Sequence, residues 1–334
     1  MSARARGERI GVGIIGLGFM GRTHLGAYAA AEGCEVRAAF DPGARAAPAG
    51  NLVTAGGGVD EILARLPREA SVAALLARPD IDLVSICTPT DTHVGLVRAA
   101  IAARKHVLVE KPTALDANAI DALAREADAA GVLAMPAHCM RFWPAWAWMA
   151  KAVREQRYGR VKHALFRRLG ARPAWSQDFY LDVARSGGAA VDLHIHDADF
   201  VRFCFGEPSA VEASGSRMHV LASYRYPDGT VVEAEGAWFD NPSFAFTMTA
   251  RIECEHATLD FALGREPELL VETVGGTTAV RAGTDYPHGN GYDAETCAIV
   301  TALRSGSKEP PVTLADAART QRLLDAELAC LPHN

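Results

Sequence analysis

Three short stretches of this 334-residue chain carry residue types at spacings that can do chemistry. The first is Gly16-Leu17-Gly18-Phe19-Met20-Gly21, which follows an apolar run and precedes a stretch of helical spacing. Glycines there permit a tight turn and let the backbone approach an anion. The free N–H groups and positive dipole end of the following helix suit a pyrophosphate. Gly16, Gly18, Phe19, Met20 and Gly21 are therefore expected to bind a dinucleotide. Asp41 lies twenty residues past Gly21, the spacing expected of a carboxylate that accepts hydrogen bonds from a ribose diol. A carboxylate there repels a 2′-phosphate and favours NAD over NADP, although Arg45 is near enough in sequence to soften the preference.

The second stretch is Glu110-Lys111-Pro112, which closes a short apolar run as Cys87–His93 and Met135–His138 close two others. In an open α/β sheet, ligands lie beyond the carboxyl ends of the strands. Thr88, Pro89, His93, Glu110 and Lys111 are thus expected at the cofactor, with Lys111 toward its nicotinamide end. The ammonium can hydrogen-bond a substrate hydroxyl and stabilise developing alkoxide. Pro112 restricts Lys111 to an extended or turn backbone and admits a cis bond. The plainer alternative is a solvated lysine at a strand end.

The third stretch runs from Ser186-Gly187-Gly188 to Asp192, His194, His196, Asp197 and Asp199. If it is one helix from Gly188, Asp192 and His196 stand at i and i+4 on one face. A carboxylate beside an imidazole orients the ring and favours its protonated form, as a general base for an alcohol requires. Three acids and two histidines over eight positions also suit a metal, but no further ligand cluster supports that, and no metal is expected.

These groups need elements to position them. Over residues 10–135, short β-rich runs alternate with Ala/Leu-rich helical stretches at 22–32, 92–104 and 117–130. That alternation implies right-handed crossovers and a doubly wound parallel sheet, a Rossmann-type domain over 1–137. Residues 42–58, rich in Ala, Gly and Pro, look like a loop or insertion. From about residue 138 alternating segments at 161–168, 210–216, 220–226, 230–239, 244–253 and 257–261 predict an open, mostly antiparallel sheet in an α/β domain over 138–334. Tyr226-Pro-Asp-Gly-Thr230 marks a hairpin, and helices at 146–155 and 194–204 should cover one face of this sheet. A last amphipathic helix is expected at 314–331.

Composition narrows the partners. With 49% hydrophobic and 22% charged residues the chain reads as globular. A net charge of −6 without a basic run argues against nucleic acid. No apolar run reaches the ~18 residues of a bilayer span, and the polar start followed by a glycine-broken strand does not resemble a signal peptide. Seven scattered cysteines without a C-x-x-C pair fit a reducing cytoplasm.

Taken together, the glycine loop, Thr88-Pro89 with His93, His106 to Pro112, Arg141-Phe142, and Gly187-Gly188 leading to Asp192 and His196 resemble the glucose-fructose oxidoreductase/inositol dehydrogenase (Gfo/Idh/MocA) family. Residues 194–203 look most like its inositol dehydrogenase branch. The resemblance implies a Rossmann domain followed by an α/β domain whose sheet forms a homodimer or homotetramer. It matches Lys111, Asp192 and His196 to the family's catalytic lysine, aspartate and histidine. It further implies an NAD-dependent dehydrogenase acting on a secondary alcohol of a sugar or cyclitol. His138 and His194 depart from the residues common at those positions and are expected to face the substrate, with Arg141, Trp175, Asp178 and Tyr292 as further contacts. An NAD-dependent glycosidase working by transient oxidation and elimination, and a non-catalytic NAD/sugar sensor, are the alternatives. Presence of Lys111, Asp192 and His196 together argues against the sensor.

Overall fold

The computed structural model describes residues 9–43, 58–174 and 177–332. Contacts divide the chain into two units, Met1–His138 with Tyr292–Arg319, and Cys139–Gly291 with Thr320–Asn334.

The first unit holds five strands: β1 (Ile10–Ile15), β2 (Cys34–Phe40), β3 (Leu83–Ile86), β4 (His106–Val109) and β5 (Ala134–Pro136). All pair in parallel, in the order β2-β1-β3-β4-β5. Every residue of β1 and β3 is buried, as expected of parallel strands covered on both faces. Strand order reverses between β1 and β3, so the connections leaving their carboxyl ends diverge and open a crevice there. Helices Phe19–Ala30, His93–Ala102 and Ala117–Ala130 link the strands. The last is closed at its start by Asp116, which accepts a hydrogen bond from the Asn118 N–H, and at its end by left-handed Gly131. Helices Val59–Arg65 and Val72–Ala77 are too short for periodicity to reveal them. Residues 44–57, most of the expected insertion and including Arg45, lie outside the described residues.

The expected division at residue 137 into two consecutive domains needs a correction. Leu314, Ala317 and Ala318, near the start of helix Leu314–Cys330, join Val97, Ile101, Val107 and Leu123 in the first unit's apolar core. Helix Gly291–Ser305, which had no sequence signal, brings Glu295 into the same unit.

The second unit is built on β6 (Val161–Ala171), β7 (Ala210–Ser216), β8 (His219–Arg225), β9 (Val231–Phe239), β10 (Thr247–Cys254), β11 (Thr258–Ala262), β12 (Leu269–Thr273) and β13 (Gly276–Val280). The order is β13-β12-β11-β10-β6-β9-β8-β7, antiparallel except for the β6–β9 pair. Strands β12 and β13 go beyond the sequence expectation, because two five-residue runs give too little alternation to register. Burial alternates along β8, β9 and β10, which leaves one face for helices Pro144–Arg154 and Ile195–Phe205. Trp146, fully buried, meets the rings of Phe166, Phe200 and Phe261 there. Among the described residues, no helix is long and apolar enough to cross a membrane.

Candidate active site

The glycine loop leaves β1 at the point where the sheet reverses. Gly16 has φ +90°, and a Cβ on it would sit 2.5 Å from the Cys87 carbonyl oxygen. Gly21 meets the Gly16 carbonyl so closely that a Cβ would stand 1.9 Å away, which lets helix Phe19–Ala30 pack tightly on the turn. Gly18 is different: a Cβ there would meet nothing within 4 Å. Gly18 caps the helix with no side chain bonded to the orphan N–H groups, and no acid lies in the first turn. Gly18, Phe19 and Met20 are partly exposed. One glycine thus makes the turn, one admits the helix and one keeps a cradle open, an arrangement that fits a pyrophosphate. Asp41, at the end of β2, accepts from the Leu17 N–H at 2.6 Å and the Gly43 N–H at 2.8 Å. Its negative charge is therefore held against the loop.

The β3 and β4 ends are stapled together. His93 is buried, with Nδ1 2.8 Å from the Pro112 carbonyl and Nε2 2.8 Å from the Thr88 carbonyl. Burial lowers its pKa despite those two bonds. Expected at the cofactor, His93 instead holds the segments around it. Thr88 is half-buried and Pro89 exposed. Lys111 is half-buried, and the Lys111–Pro112 peptide is cis.

Glu110, also expected at the cofactor, turns inward. Its Oε1 lies 3.0 Å from His24 Nε2, and its Oε2 accepts from the Lys111 N–H at 3.1 Å. His24 Nδ1 is 2.7 Å from Ser85 Oγ, and Glu295 Oε1 lies 3.9 Å from Nε2. Sequence reasoning missed His24, Ser85 and Glu295. The available signal was a histidine within the small-residue face of the first helix. Burial would lower the His24 pKa, but Cys87 and Glu110 outweigh it and raise it well above its ordinary value. For Glu110, burial is outweighed by His24 and Lys111, and the carboxyl is held below its usual range. Burial raises Glu295 well above its own. Among the described residues His24, Glu110 and Glu295 form the one trio whose atoms could hold a metal ion.

In the second unit the expected single helix from Gly188 is broken. Gly188, at φ +76°, turns the chain where a Cβ would stand 2.6 Å from the Arg217 carbonyl. A short helix Ala189–Asp192 follows, then a junction at 193–194, where the His194 N–H reaches back to the Ala189 carbonyl, and then Ile195–Phe205. Despite the break, Asp192 and His196 are the two partly exposed residues between 186 and 202, and every other side is buried. His196 Nδ1 lies 3.9 Å from Cys139 Sγ.

The neighbouring charges have structural partners. Asp197 takes a bidentate pair from Arg168, at 2.8 and 3.0 Å. Asp199 takes one from Arg141, at 2.7 Å on both oxygens, and a third bond from Thr320 Oγ1 at 2.9 Å. Arg141, expected at the substrate, is thereby an anchor of helix Ile195–Phe205. His194, also expected there, is fully buried, with Nε2 3.0 Å from Glu327 Oε2 and 3.3 Å from the Tyr224 hydroxyl. The break at 193–194 turns it toward the sheet. Burial lowers its pKa, Glu327 outweighs this, and the net shift is upward. His138 is buried and Tyr292 half-buried, both in the first unit. Trp175 lies outside the described residues. Asp178 falls in the short helix Gln177–Tyr180.

Three outcomes follow from this geometry and burial. Gly18→Ala should leave urea unfolding unchanged yet weaken dinucleotide binding at least ~10-fold in a fluorescence titration, whereas Gly21→Ala should cost about 1–3 kcal/mol of stability from overpacking. For Glu295, the folded chain keeps a proton that the unfolded chain releases above about pH 4.5. Its contribution to stability therefore falls as pH rises. His24 contributes in full below its ordinary 6.5. In thermal unfolding, Glu295→Gln should gain on the unsubstituted protein between about pH 4.5 and 6.5.

Comparison with known proteins bears on both units. The Gfo/Idh/MocA oxidoreductase family, NAD-binding Rossmann fold, matches residues 10–138, and the Gfo/Idh/MocA C-terminal domain matches 146–260. Inositol 2-dehydrogenase of Rhizobium meliloti (strain 1021) is 32% identical over 207 residues, 61% of this chain and 58% of the relative. UDP-N-acetylglucosamine 3-dehydrogenase of Acidithiobacillus ferrooxidans is 34% identical over 206 residues, 61% of this chain and 57% of the relative. The alignments thus span less than two thirds of these relatives. A levoglucosan dehydrogenase solved with NADH and levoglucosan shares the fold at TM-score 0.82 and 23% identity, over 97% of both chains. With both of its domains matched in order along the sequence, this chain belongs to the Gfo/Idh/MocA oxidoreductase family.

Proposed function

We propose that the protein is an NAD-dependent dehydrogenase that oxidises a secondary alcohol of a sugar or cyclitol, or reduces the corresponding ketone. The observation that carries this is the pairing of Asp192 and His196, four residues apart and alone in being partly exposed along an otherwise buried segment. A structural segment has no need to present one carboxylate and one imidazole together. In this proposal His196 takes the hydroxyl proton. With Nδ1 turned to Cys139 Sγ, Nε2 is the nitrogen assigned to that proton. Asp192 orients the ring and stabilises the imidazolium. The Lys111 ammonium donates to the same oxygen and stabilises alkoxide character as the O–H bond breaks. Bound NAD supplies the acceptor for the carbon-bound hydrogen, which leaves with its electron pair as hydride. Run in reverse, His196 returns the proton to the carbonyl oxygen.

NAD rather than NADP is assigned from Asp41, whose carboxylate at the end of β2 is fixed by two backbone N–H groups. A 2′-phosphate beside it would meet like charge. Sugar and cyclitol substrates are assigned by similarity to relatives, which include inositol, D-apiose and levoglucosan dehydrogenases. Self-association as a homodimer or homotetramer is assigned to the open face of the eight-stranded sheet, where exposed Leu221 lies among charged side chains. A cytoplasmic location is assigned with it, supported by seven scattered cysteines that suit a reducing compartment.

The test is incubation with NAD and a panel of polyols, sugars and cyclitols, followed by the NADH absorbance. Lys111→Ala and His196→Ala should each cut turnover by more than ~10²-fold while NAD affinity stays nearly unchanged. Turnover preserved in either variant removes that residue from the mechanism. Asp41→Ala should weaken NAD binding and relax discrimination against NADP. A preference of the unsubstituted protein for NADP would overturn the cofactor assignment.

A further inference from the structure

His24 stands on helix Phe19–Ala30, one turn past the glycine loop, and none of the chemistry above uses it. It is completely buried. Around it lie Ser85 and Cys87 at the end of β3, Glu110 at the end of β4, Glu295 from helix Gly291–Ser305, and Tyr28 one turn along its own helix, edge-on at 6.3 Å. The contacts form a chain. Ser85 Oγ is 2.7 Å from His24 Nδ1, Glu110 Oε1 is 3.0 Å from His24 Nε2, and the Lys111 N–H donates to Glu110 Oε2 at 3.1 Å. The two oxygens of one carboxylate therefore tie the first helix to the main chain of Lys111.

We propose that His24 is a positioning residue for Lys111, acting through Glu110. The inference rests on the assignment above, in which Lys111 holds the reacting oxygen. A carboxylate that accepts from one donor can rotate about its last bond. One that accepts from two donors on separate elements has a fixed plane, and the peptide of Lys111 is fixed with it. Because the helix carrying His24 begins at the glycine loop, the loop that cradles pyrophosphate and the residue that meets the hydroxyl are indexed to each other inside one unit. The electrostatics agree with this arrangement: its neighbours raise the His24 pKa, His24 and Lys111 lower that of Glu110, and burial raises that of Glu295.

A metal ion is the other occupant that such a trio could take. The direct contact between His24 Nε2 and Glu110 Oε1 at 3.0 Å argues against it, since that hydrogen bond uses the lone-pair directions an ion would need.

The experiment compares His24→Ala, His24→Gln and Glu110→Gln with the unsubstituted protein, using NAD and whichever polyol is turned over. His24→Ala should lower kcat about 10- to 100-fold through misplacement of the ammonium, with NAD Kd changed by less than about 2-fold. His24→Gln, whose amide N–H can still donate to Glu110, should recover most of that loss. A general packing role would instead lower Tm in both variants without the recovery. The ¹⁵N–¹H resonance of Lys111 provides a readout independent of turnover. It should move in His24→Ala and Glu110→Gln and return toward its original position in His24→Gln. If His24→Ala does not fold, the other two variants carry the comparison. Failure of the unsubstituted protein to reduce NAD with any polyol counts against the dehydrogenase assignment, and the Lys111 resonance then decides the positioning role alone. An unmoved resonance, or full kcat in His24→Ala, overturns the inference. So does a stoichiometric transition metal, measured in the purified protein, that His24→Gln releases.

Discussion

A carboxylate removed from water must find a cationic or hydrogen-bonding partner, and this requirement organises both units. Glu110 is paired with His24, Asp197 with Arg168, and Asp199 with Arg141. Unpaired, each would carry a desolvation penalty of several kcal/mol. Each pairing also fixes a neighbour. Glu110 is followed directly by Lys111, and Asp197 directly follows His196. The two groups proposed to handle the alcohol oxygen are therefore each one residue from a buried ion pair. A side chain that must be partly exposed to work is held in place by an adjacent residue that cannot leave the core.

The first unit adds a backbone device to this electrostatic one. Reversal of strand order between β1 and β3 opens the crevice, and three glycines divide the tasks of turning, packing and staying clear. The helix start supplies N–H groups without a side-chain cap, and its positive dipole end suits an anion. A helix start of this kind can favour an anion even in a chain of net charge −6. His93 then clamps the β3 and β4 ends through two carbonyls, so that the segments bordering the crevice are tied to one another.

In the second unit, the aromatic cluster around Trp146 and the paired aspartates do complementary work. Phe200 docks helix Ile195–Phe205 on the sheet through apolar contact, and Asp197 and Asp199 set its rotation through directional bonds. Apolar burial supplies most of the attraction but little angular preference. Bidentate guanidinium–carboxylate pairs supply the angle. Rotation decides which positions reach the surface, and here it brings out His196 while keeping Asp197 and Asp199 inside.

The division between what was legible in the sequence and what was not follows the range of the interactions. Local signals determined the Rossmann-type alternation, the glycine loop with Asp41 twenty residues on and the hairpin at Tyr226–Thr230, because turn geometry and side-chain periodicity are properties of neighbouring residues; the break at 193–194 that separates Asp192 from the helix of His196 was not legible there. Tertiary structure alone decided that His194, Arg141, His93 and Glu110 face inward, although their types suit a ligand as well as a core. Burial of a polar side chain depends on a partner far away in the chain: Glu327 for His194, Asp199 for Arg141, Pro112 for His93 and His24 for Glu110. The return of residues 292–319 to the first unit was invisible for the same reason. An amphipathic helix announces that it must cover some apolar surface, but only the assembled core determines which one.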